Sequence, residues 1–396
     1  MRIKIKQKDF LQMLYISQGV SESIEVKPIL SHLLIAAHKD NLSLVATGLD
    51  IAINLERKAK EGLLEIKEEG GIVLPAKRLY ELVKELPDGM IDIKTKENFW
   101  AEIHYPSLGQ KKMNLVQLMG LNPAEYPKVP SFESDEEELK LNSKVLINMV
   151  EKTIFATSKD ERRQYLQGIF FCSGEEDKEK REVAIKMVAT DGHRLAMING
   201  RAEGKGGGKV LKKGVILPKK GIQEVRRIVG YLEGLKAGEA ETVRLNILPN
   251  LGRVQIGSDS IYVRFIDGEY PDYNAVIPKE ERNRAKVIKE SLVKSLRRAT
   301  VLSTREVQGL RIKMEKSNLI VHSQHPDTGE IREEIPVEYE GKNIEMNFNS
   351  RYLSEGLESF GDESVTLNFG DDLSPLVISG KEEKNHLVLI MPLRND

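Results

Sequence analysis

Met187-Val188-Ala189-Thr190-Asp191 restates Leu44-Val45-Ala46-Thr47-Gly48, with Thr190 lying 143 residues after Thr47. The spacing recurs. Leu217-Pro218-Lys219-Lys220-Gly221-Ile222 follows Leu74-Pro75-Ala76-Lys77-Arg78-Leu79 by 143 residues, and Glu269-Tyr270-Pro271 follows Glu125-Tyr126-Pro127 by 144. Three separate landmarks at one offset mark a tandem repeat. A fainter third copy follows. Ile320-Val321-His322-Ser323 takes the place of the Val-Ala-Thr strand, and Phe348-Asn349-Ser350-Arg351-Tyr352-Leu353 stands where the Leu-Pro-Lys segments stand. The second copy is longer through the charged insert Ser173 to Glu182 and the loop Gly204 to Lys209, both read as solvated tips.

Each copy predicts the same order of elements. A helix comes first (Lys8 to Tyr15, Lys144 to Thr157, Lys289 to Leu302). Alternating strands follow, such as Asn41 to Leu49 and Glu182 to Thr190. A second helix comes next (Ala76 to Leu86, Lys219 to Leu232, Ser350 to Phe360), and strands such as Ser260 to Ile266 and Leu387 to Met391 close the unit. Apolar and polar residues alternate along the strands, as in a sheet buried on one face, and an apolar helix stripe can cover that face. Proline and charge runs at Tyr126 to Glu138 and Pro271 to Lys286 read as linkers. The expectation is an α+β protein of three domains, residues 1–128, 139–274 and 286–396.

The 396 residues are too many for one ordinary core, and 40% hydrophobic content fits a packed chain. No run approaches the roughly 20 apolar residues of a membrane span. The start, Met1-Arg2-Ile3-Lys4-Ile5-Lys6, reads as a strand rather than a signal peptide. A single cysteine, Cys172, forbids disulfides within the chain and fits a reducing cytoplasm. Lys and Arg number 60 against 61 Asp and Glu, giving a net charge of −1. That charge is segregated. The helical stretches 6–15, 77–85, 144–163, 219–227, 286–298 and 349–358 carry +10 together, leaving −11 for the rest. On one helix such residues ordinarily do no more than solvate a face. Across a repeat they describe basic helices gathered on one side of acidic sheets, a surface that attracts phosphates on that side only.

Thr190-Asp191-Gly192-His193-Arg194-Leu195 is the densest polar cluster. As an active site, Asp191 would orient His193 as a general base, but no nucleophile motif accompanies it. The plainer reading is a turn in which Asp and Gly accept unusual backbone angles. Gly204-Lys205-Gly206-Gly207-Gly208-Lys209 lacks the Ser or Thr of a P-loop, since Val210 follows. It reads as a loop with no helix opening from it. One Cys and seven scattered His lack metal-ligand spacing, so neither a metal nor a cofactor is expected. Asn114 to Met119 and Ala299-Thr300-Val301-Leu302 are apolar stretches near the two ends, read as core or as a subunit contact.

The segments Val188 to Ala196, Tyr270-Pro271-Asp272-Tyr273 with Val276 and Pro278, Phe348 to Leu353, and Met391-Pro392-Leu393-Arg394 occur in an order and spacing that resembles the bacterial sliding clamps, the beta subunits of DNA polymerase III. The resemblance covers the whole chain. It implies a head-to-tail homodimer of six similar domains, with helices lining a central hole and sheets outside. The ring encircles duplex DNA without regard to sequence, in agreement with the charge pattern. It further implies a processivity factor of DNA replication, a non-catalytic member of a DNA-directed DNA polymerase complex that needs no cofactor and works in the cytoplasm. Val301, Leu302 and Leu115 fall at the implied dimer interface.

The family's partner pocket takes short peptides from the polymerase III alpha subunit, the clamp-loader delta subunit, other polymerases and repair proteins. By position it would comprise Leu166, Thr190, Gly192, His193, Arg194, Leu195, Pro271, Val276, Leu389, Ile390, Met391, Pro392, Leu393 and Arg394. Leu, Val and Met supply an apolar cleft, and Met adapts to several occupants. Lys77, Arg163, Tyr165, Lys219 and Arg351 lie near positions that face DNA. The chain departs from the family at Ile24, where many relatives have arginine, at Arg163-Gln164-Tyr165, which keeps one tyrosine of a pair, and at Ala275. Two other readings stay open: a three-domain scaffold that binds proteins without encircling DNA, and an enzyme using Asp191 and His193 on a small substrate.

Overall fold

A computed structural model describes residues 1–21, 28–107, 112–130, 138–177, 179–204, 208–235, 242–278, 283–302, 309–325 and 329–393. Its contacts divide the chain into two compact units, Met1–Ser143 with Lys220–Phe265, and Lys144–Lys219 with Ile266–Asp396. Both hold runs of consecutive strands punctuated by helices.

The first unit holds two antiparallel sheets. One has five strands in the order Leu64–Glu68, Arg2–Lys6, Met90–Thr95, Trp100–Pro106, Met113–Met119. In the other, Gly70–Pro75, His32–His38, Asn41–Thr47 and Ile51–Lys58 pair in turn, and Ile51–Lys58 goes on to Asp259–Arg264, Leu251–Ile256, Thr242–Ile247 and Glu138–Asn142. Helix Gln7–Gln18 buries Phe10, Met13, Leu14 and Ser17, three and four residues apart, and helix Ala76–Glu85 buries Ala76, Leu79 and Val83. Those spacings turn one apolar stripe per helix inward. Arg227, on helix Lys219–Leu235, donates to the carbonyl of Ile16 at 2.9 Å, taking up an orphan acceptor of the last turn of helix Gln7–Gln18.

In the second unit the long sheet runs Val215–Pro218, Gly168–Asp177, Glu182–Thr190, Arg194–Glu203, His386–Ile390, Leu376–Gly380, Ser364–Phe369 and Asn283–Ile288. The decisive pairing is Arg194↔Ile390 to Ile198↔His386, which joins a strand of the second sequence copy to the last strand of the third. A smaller sheet orders Gly329–Pro336, Asn318–His325, Gly309–Met314 and Ile344–Asn349. Helix Lys289–Leu302 buries Leu292, Leu296 and Ala299. Helix Ser350–Glu358 is capped by the Asn349 side chain, which accepts from the amides of Arg351 and Tyr352.

Several boundaries differ from the expectation. The first helix of the second copy is Ser143–Glu151 and stops well short of Thr157. The Thr153 hydroxyl donates to the carbonyl of Met149 at 2.8 Å, and a single turn of 3-10 helix, Ile154–Ala156, follows. Such back-bonding by threonine competes with helix continuation. Lys159, Arg162 and Arg163 therefore sit on a loop, not on the helix. A six-residue helix, Gly208–Lys213, does open after the glycine-rich loop, because Leu211 is fully buried there. The charged insert is mostly strand. Gly168–Asp177 and Glu182–Thr190 pair out to Asp177↔Glu182, so only the tip is loop. Among the described residues no helix is long and apolar enough to cross a membrane, and no cluster of His, Cys, Asp and Glu is arranged to hold a metal.

Candidate functional site

The turn between Glu182–Thr190 and Arg194–Glu203 is built by its own side chains. The Thr190 hydroxyl donates to the carbonyl of Arg194 at 2.6 Å and accepts from the amide of Gly192 at 3.1 Å. Asp191 Oδ1 accepts from the amides of His193 at 2.9 Å and Arg194 at 3.0 Å. Gly192 has φ +90°, a conformation other residues seldom adopt. The Asp191 carboxylate thus braces the backbone and the Arg194 guanidinium, and no hydrogen bond joins it to the His193 ring. That ring stacks against Tyr352, centroids 6.4 Å apart. An Asp-His pair of the kind general-base chemistry needs does not form.

Arg194 is 5% exposed and fully engaged. Its Nε donates to Asp191 Oδ2 at 3.1 Å, one terminal nitrogen to Glu355 Oε2 at 2.5 Å and the other to the carbonyl of Phe155 at 2.5 Å. The guanidinium lies 4.4 Å from the centre of the Tyr352 ring. A buried cation needs such partners, and here they tie the turn to helix Ser350–Glu358. Arg194 therefore shapes the site rather than offering free donors to a ligand.

On one side of this anchor lies an open cavity of about 540 Å³, lined by Phe155, Thr157, Ser158, Lys159, Asp160, Arg162, Arg163, Asp191, His193, Arg194, Lys219, Arg351, Tyr352 and Glu355. Six Lys and Arg side chains face three carboxylates there, so the lining is cationic. Burial pushes the Lys219 ammonium down, and Lys159 and Arg194 push the same way. Burial alone would raise the Glu355 carboxyl. Hydrogen bonds from Arg351, at 2.7 Å, and Arg194 outweigh it and hold the group below the usual carboxylate range.

The residue after Arg194, Leu195, belongs to an apolar cluster. Val188, Leu195, Val377 and Leu389 are buried together, with Phe170, Met197, Tyr270, Tyr273 and Leu387 packed against them. Phe170 stacks on Tyr270 with centroids 5.0 Å apart. Val276 is 47% exposed, Met391 37% and Leu393 42%. The chain end is held by two backbone bonds, Met391 N to the His193 carbonyl at 2.8 Å and Leu393 N to the Asn347 carbonyl at 2.7 Å.

The structure thus brings together Thr190, Gly192, His193, Arg194, Leu195, Leu389, Ile390 and Met391 at one strand junction. Leu166 is buried, and its carbonyl accepts from Ser158 N at 2.8 Å. Pro271 is exposed and Pro392 half-buried. Arg163, Lys219 and Arg351, expected to face DNA, line the same cavity as His193, expected in the peptide pocket. Tyr165 is exposed nearby on the turn Gln164–Leu166, and Lys77 is exposed on helix Ala76–Glu85 of the first unit. Leu115 is exposed on the outer strand of the five-stranded sheet, and Val301 is exposed at the end of its helix. Arg394, the side chain of Leu302 and residues 22–27, with Ile24, lie outside the described residues. Sequence reasoning missed Phe155, Glu355 and the role of Tyr352. Glu355 had a signal, four residues after Arg351 on a helix. Phe155 acts through its carbonyl and gave none.

Family models match in three consecutive blocks: the N-terminal domain of the DNA polymerase III beta subunit over residues 1–130, the central domain over 140–272 and the C-terminal domain over 274–394. The beta sliding clamp of Caulobacter vibrioides is 30% identical over 394 residues, covering 100% of both chains. The crystal structure of the Bartonella birtlesii sliding clamp bound to griselimycin superposes with a TM-score of 0.88 at 26% identity, covering 100% of both chains. The Bacillus subtilis clamp superposes at 0.90 with 23% identity and 100% coverage of both, which shows the shared fold. The three consecutive matches follow the repeat along the chain, and the chain belongs to the family of DNA polymerase III beta subunits, the beta sliding clamps.

Proposed function

We propose that two copies of this chain close head to tail into a ring around duplex DNA, each contributing three domains, residues 1–128, 139–274 and 286–396. As a family member the chain is a processivity clamp of DNA replication and not an enzyme. In a closed ring the basic helices would line the hole and the sheets would form the wall. Topology then does the holding. Weak phosphate contacts by Lys77, Arg163, Tyr165, Lys219 and Arg351 permit sliding, where base-specific contacts would arrest it. A tethered polymerase stays at high local concentration near its primer. Head-to-tail contacts close a ring. Leu115 on an open sheet edge, together with Val301 and Leu302, supplies the apolar contact.

The observation that carries the partner site is the pairing of Arg194–Glu203 with His386–Ile390. It brings Leu195 and Leu389 into one apolar cluster, and Val276, Met391 and Leu393 are exposed, which supports a groove with these three at its rim. That groove suits an apolar anchor of a short peptide, with backbone groups and His193 fixing its orientation. The Bartonella relative was crystallised with griselimycin, which supports a clamp surface able to hold a ligand. The occupants proposed here are peptides from the polymerase III alpha subunit, the clamp-loader delta subunit, other polymerases and repair proteins, in the cytoplasm. Light scattering tests the ring. A dimer at micromolar concentration is expected, whereas a clean monomer would favour a scaffold that does not encircle DNA.

A further inference from the structure

The cavity beside Arg194 gathers Lys159, to which the clamp reading gives no task, with Arg163, Lys219 and Arg351, proposed above to touch DNA. Lys159 and Lys219 make no ion pair among the described residues, and Arg163 approaches Asp160 only at 3.9 Å. Glu355 is shared. Its Oε1 accepts from exposed Arg351 at 2.7 Å, and its Oε2 accepts from buried Arg194 at 2.5 Å. Arg194 in turn holds Asp191, which braces the amide of His193, whose carbonyl holds the amide of Met391. A continuous chain of contacts therefore runs from the cationic cavity to the rim of the peptide groove.

We propose that a phosphate group bound in this cavity, taken from the DNA backbone or from solution, tightens the binding of partner peptides through Glu355. The phosphate, held by Lys159, Lys219 and Arg163, attracts Arg351 away from Glu355. Two cations no longer divide one carboxylate, so the Glu355–Arg194 pair strengthens, and the turn carrying His193 is held in one form before the peptide arrives. Fixing a site in advance cuts the ordering cost of binding. The chemistry favours phosphate, whose several oxygens can each take a charge-assisted bond from a separate cation. The cationic lining calls for an anion. The coupling rests on the peptide-groove reading above, and it is reciprocal: the peptide must tighten phosphate binding by the same factor.

The test is the affinity of the full-length protein for a fluorescent peptide from a DNA polymerase III alpha subunit. It is measured in chloride, in inorganic phosphate at matched ionic strength, and with a short blunt duplex DNA. A gain of about fivefold or more with phosphate or duplex is expected, the lower end of typical coupling between sites. A gain with duplex alone assigns the phosphate to DNA, and a gain with inorganic phosphate assigns it to solution. In Glu355→Gln the gain falls to one. Arg351→Gln leaves the buried Arg194–Glu355 pair in place and should fold normally; there too the gain falls to one. A gain of one in the unaltered protein, or an undiminished gain in Glu355→Gln and Arg351→Gln, overturns the coupling. Failure of the peptide to bind in chloride would instead refute the groove and the coupling with it.

Discussion

The amide of Met391 donates to the carbonyl of His193 at 2.8 Å, and the bond has a twin: the amide of Arg264 donates to the carbonyl of Asp50, also at 2.8 Å. Asp50 and His193 stand 143 residues apart, the offset of the repeat. One backbone joint is therefore built twice, once in each unit. The side chains differ. The first turn reads Gly48-Leu49-Asp50-Ile51 and the second Asp191-Gly192-His193-Arg194. Only the second carries an arginine that ties the turn to a helix, and only there does the joined strand run out into exposed Met391 and Leu393.

Removing residues 391–396 takes Met391 and Leu393 from the groove rim together with the two backbone bonds of the chain end, and leaves the Arg194↔Ile390 pairing in place. Peptide affinity should fall at least tenfold while light scattering still reports a dimer. Loss of the dimer would show that the chain end serves the subunit contact.

Arg194→Met removes a buried cation and leaves Asp191 only its backbone donors and Glu355 only Arg351. Breaking such a pair from one side costs about 3–5 kcal/mol. The urea midpoint should fall accordingly. A change below about 1 kcal/mol would show that Arg194 does not anchor the turn.

Burial pushes the His386 imidazole down to about 4, its hydrogen bond to the Met197 carbonyl opposes this, Lys152 adds to the push, and Glu383 and Asp362 pull back. The ring also meets the Ser359 hydroxyl and the Phe360 ring. Between pH 6.5 and 4 the unfolded chain binds a proton that the folded chain does not. The stability from neutral His386 is thus complete above about pH 6.5 and is lost as pH falls toward 4, by about 3 kcal/mol. The difference between the unaltered protein and His386→Gln in urea melts should show that slope. A flat difference would mean the ring is protonated in place.

Leu115→Glu puts a charge on the exposed apolar face of strand Met113–Met119, beside Met113 and Met119. A charge buried at an apolar joint without a partner is costly. Dimer affinity should fall more than tenfold, with the folded monomer intact by circular dichroism. An unchanged dimer would move the interface elsewhere.

Much of this fold is legible in the residues. Lys289–Leu302 and Glu182–Thr190 begin and end where their patterns place them, because apolar periodicity and the flanking turn residues agree. The helix from Ser143 ends early for a reason periodicity does not carry, the hydroxyl of Thr153 bonding back to Met149. The short helix after Gly208 depends on the burial of Leu211, which only the fold decides. At the site, the turn residues and the chain end are visible in the repeat and in the resemblance. That Arg194 is buried and shared with Glu355 and Phe155 is not, since those partners lie 161 and 39 residues away.

The tethering claim is tested most directly by loading the protein onto nicked circular DNA and measuring its retention before and after the circle is cut. The account predicts stable retention on the circle at moderate salt and rapid release from the free ends once it is linear. Equal retention on both forms, lost only as salt rises, would show binding by charge alone and contradict the ring.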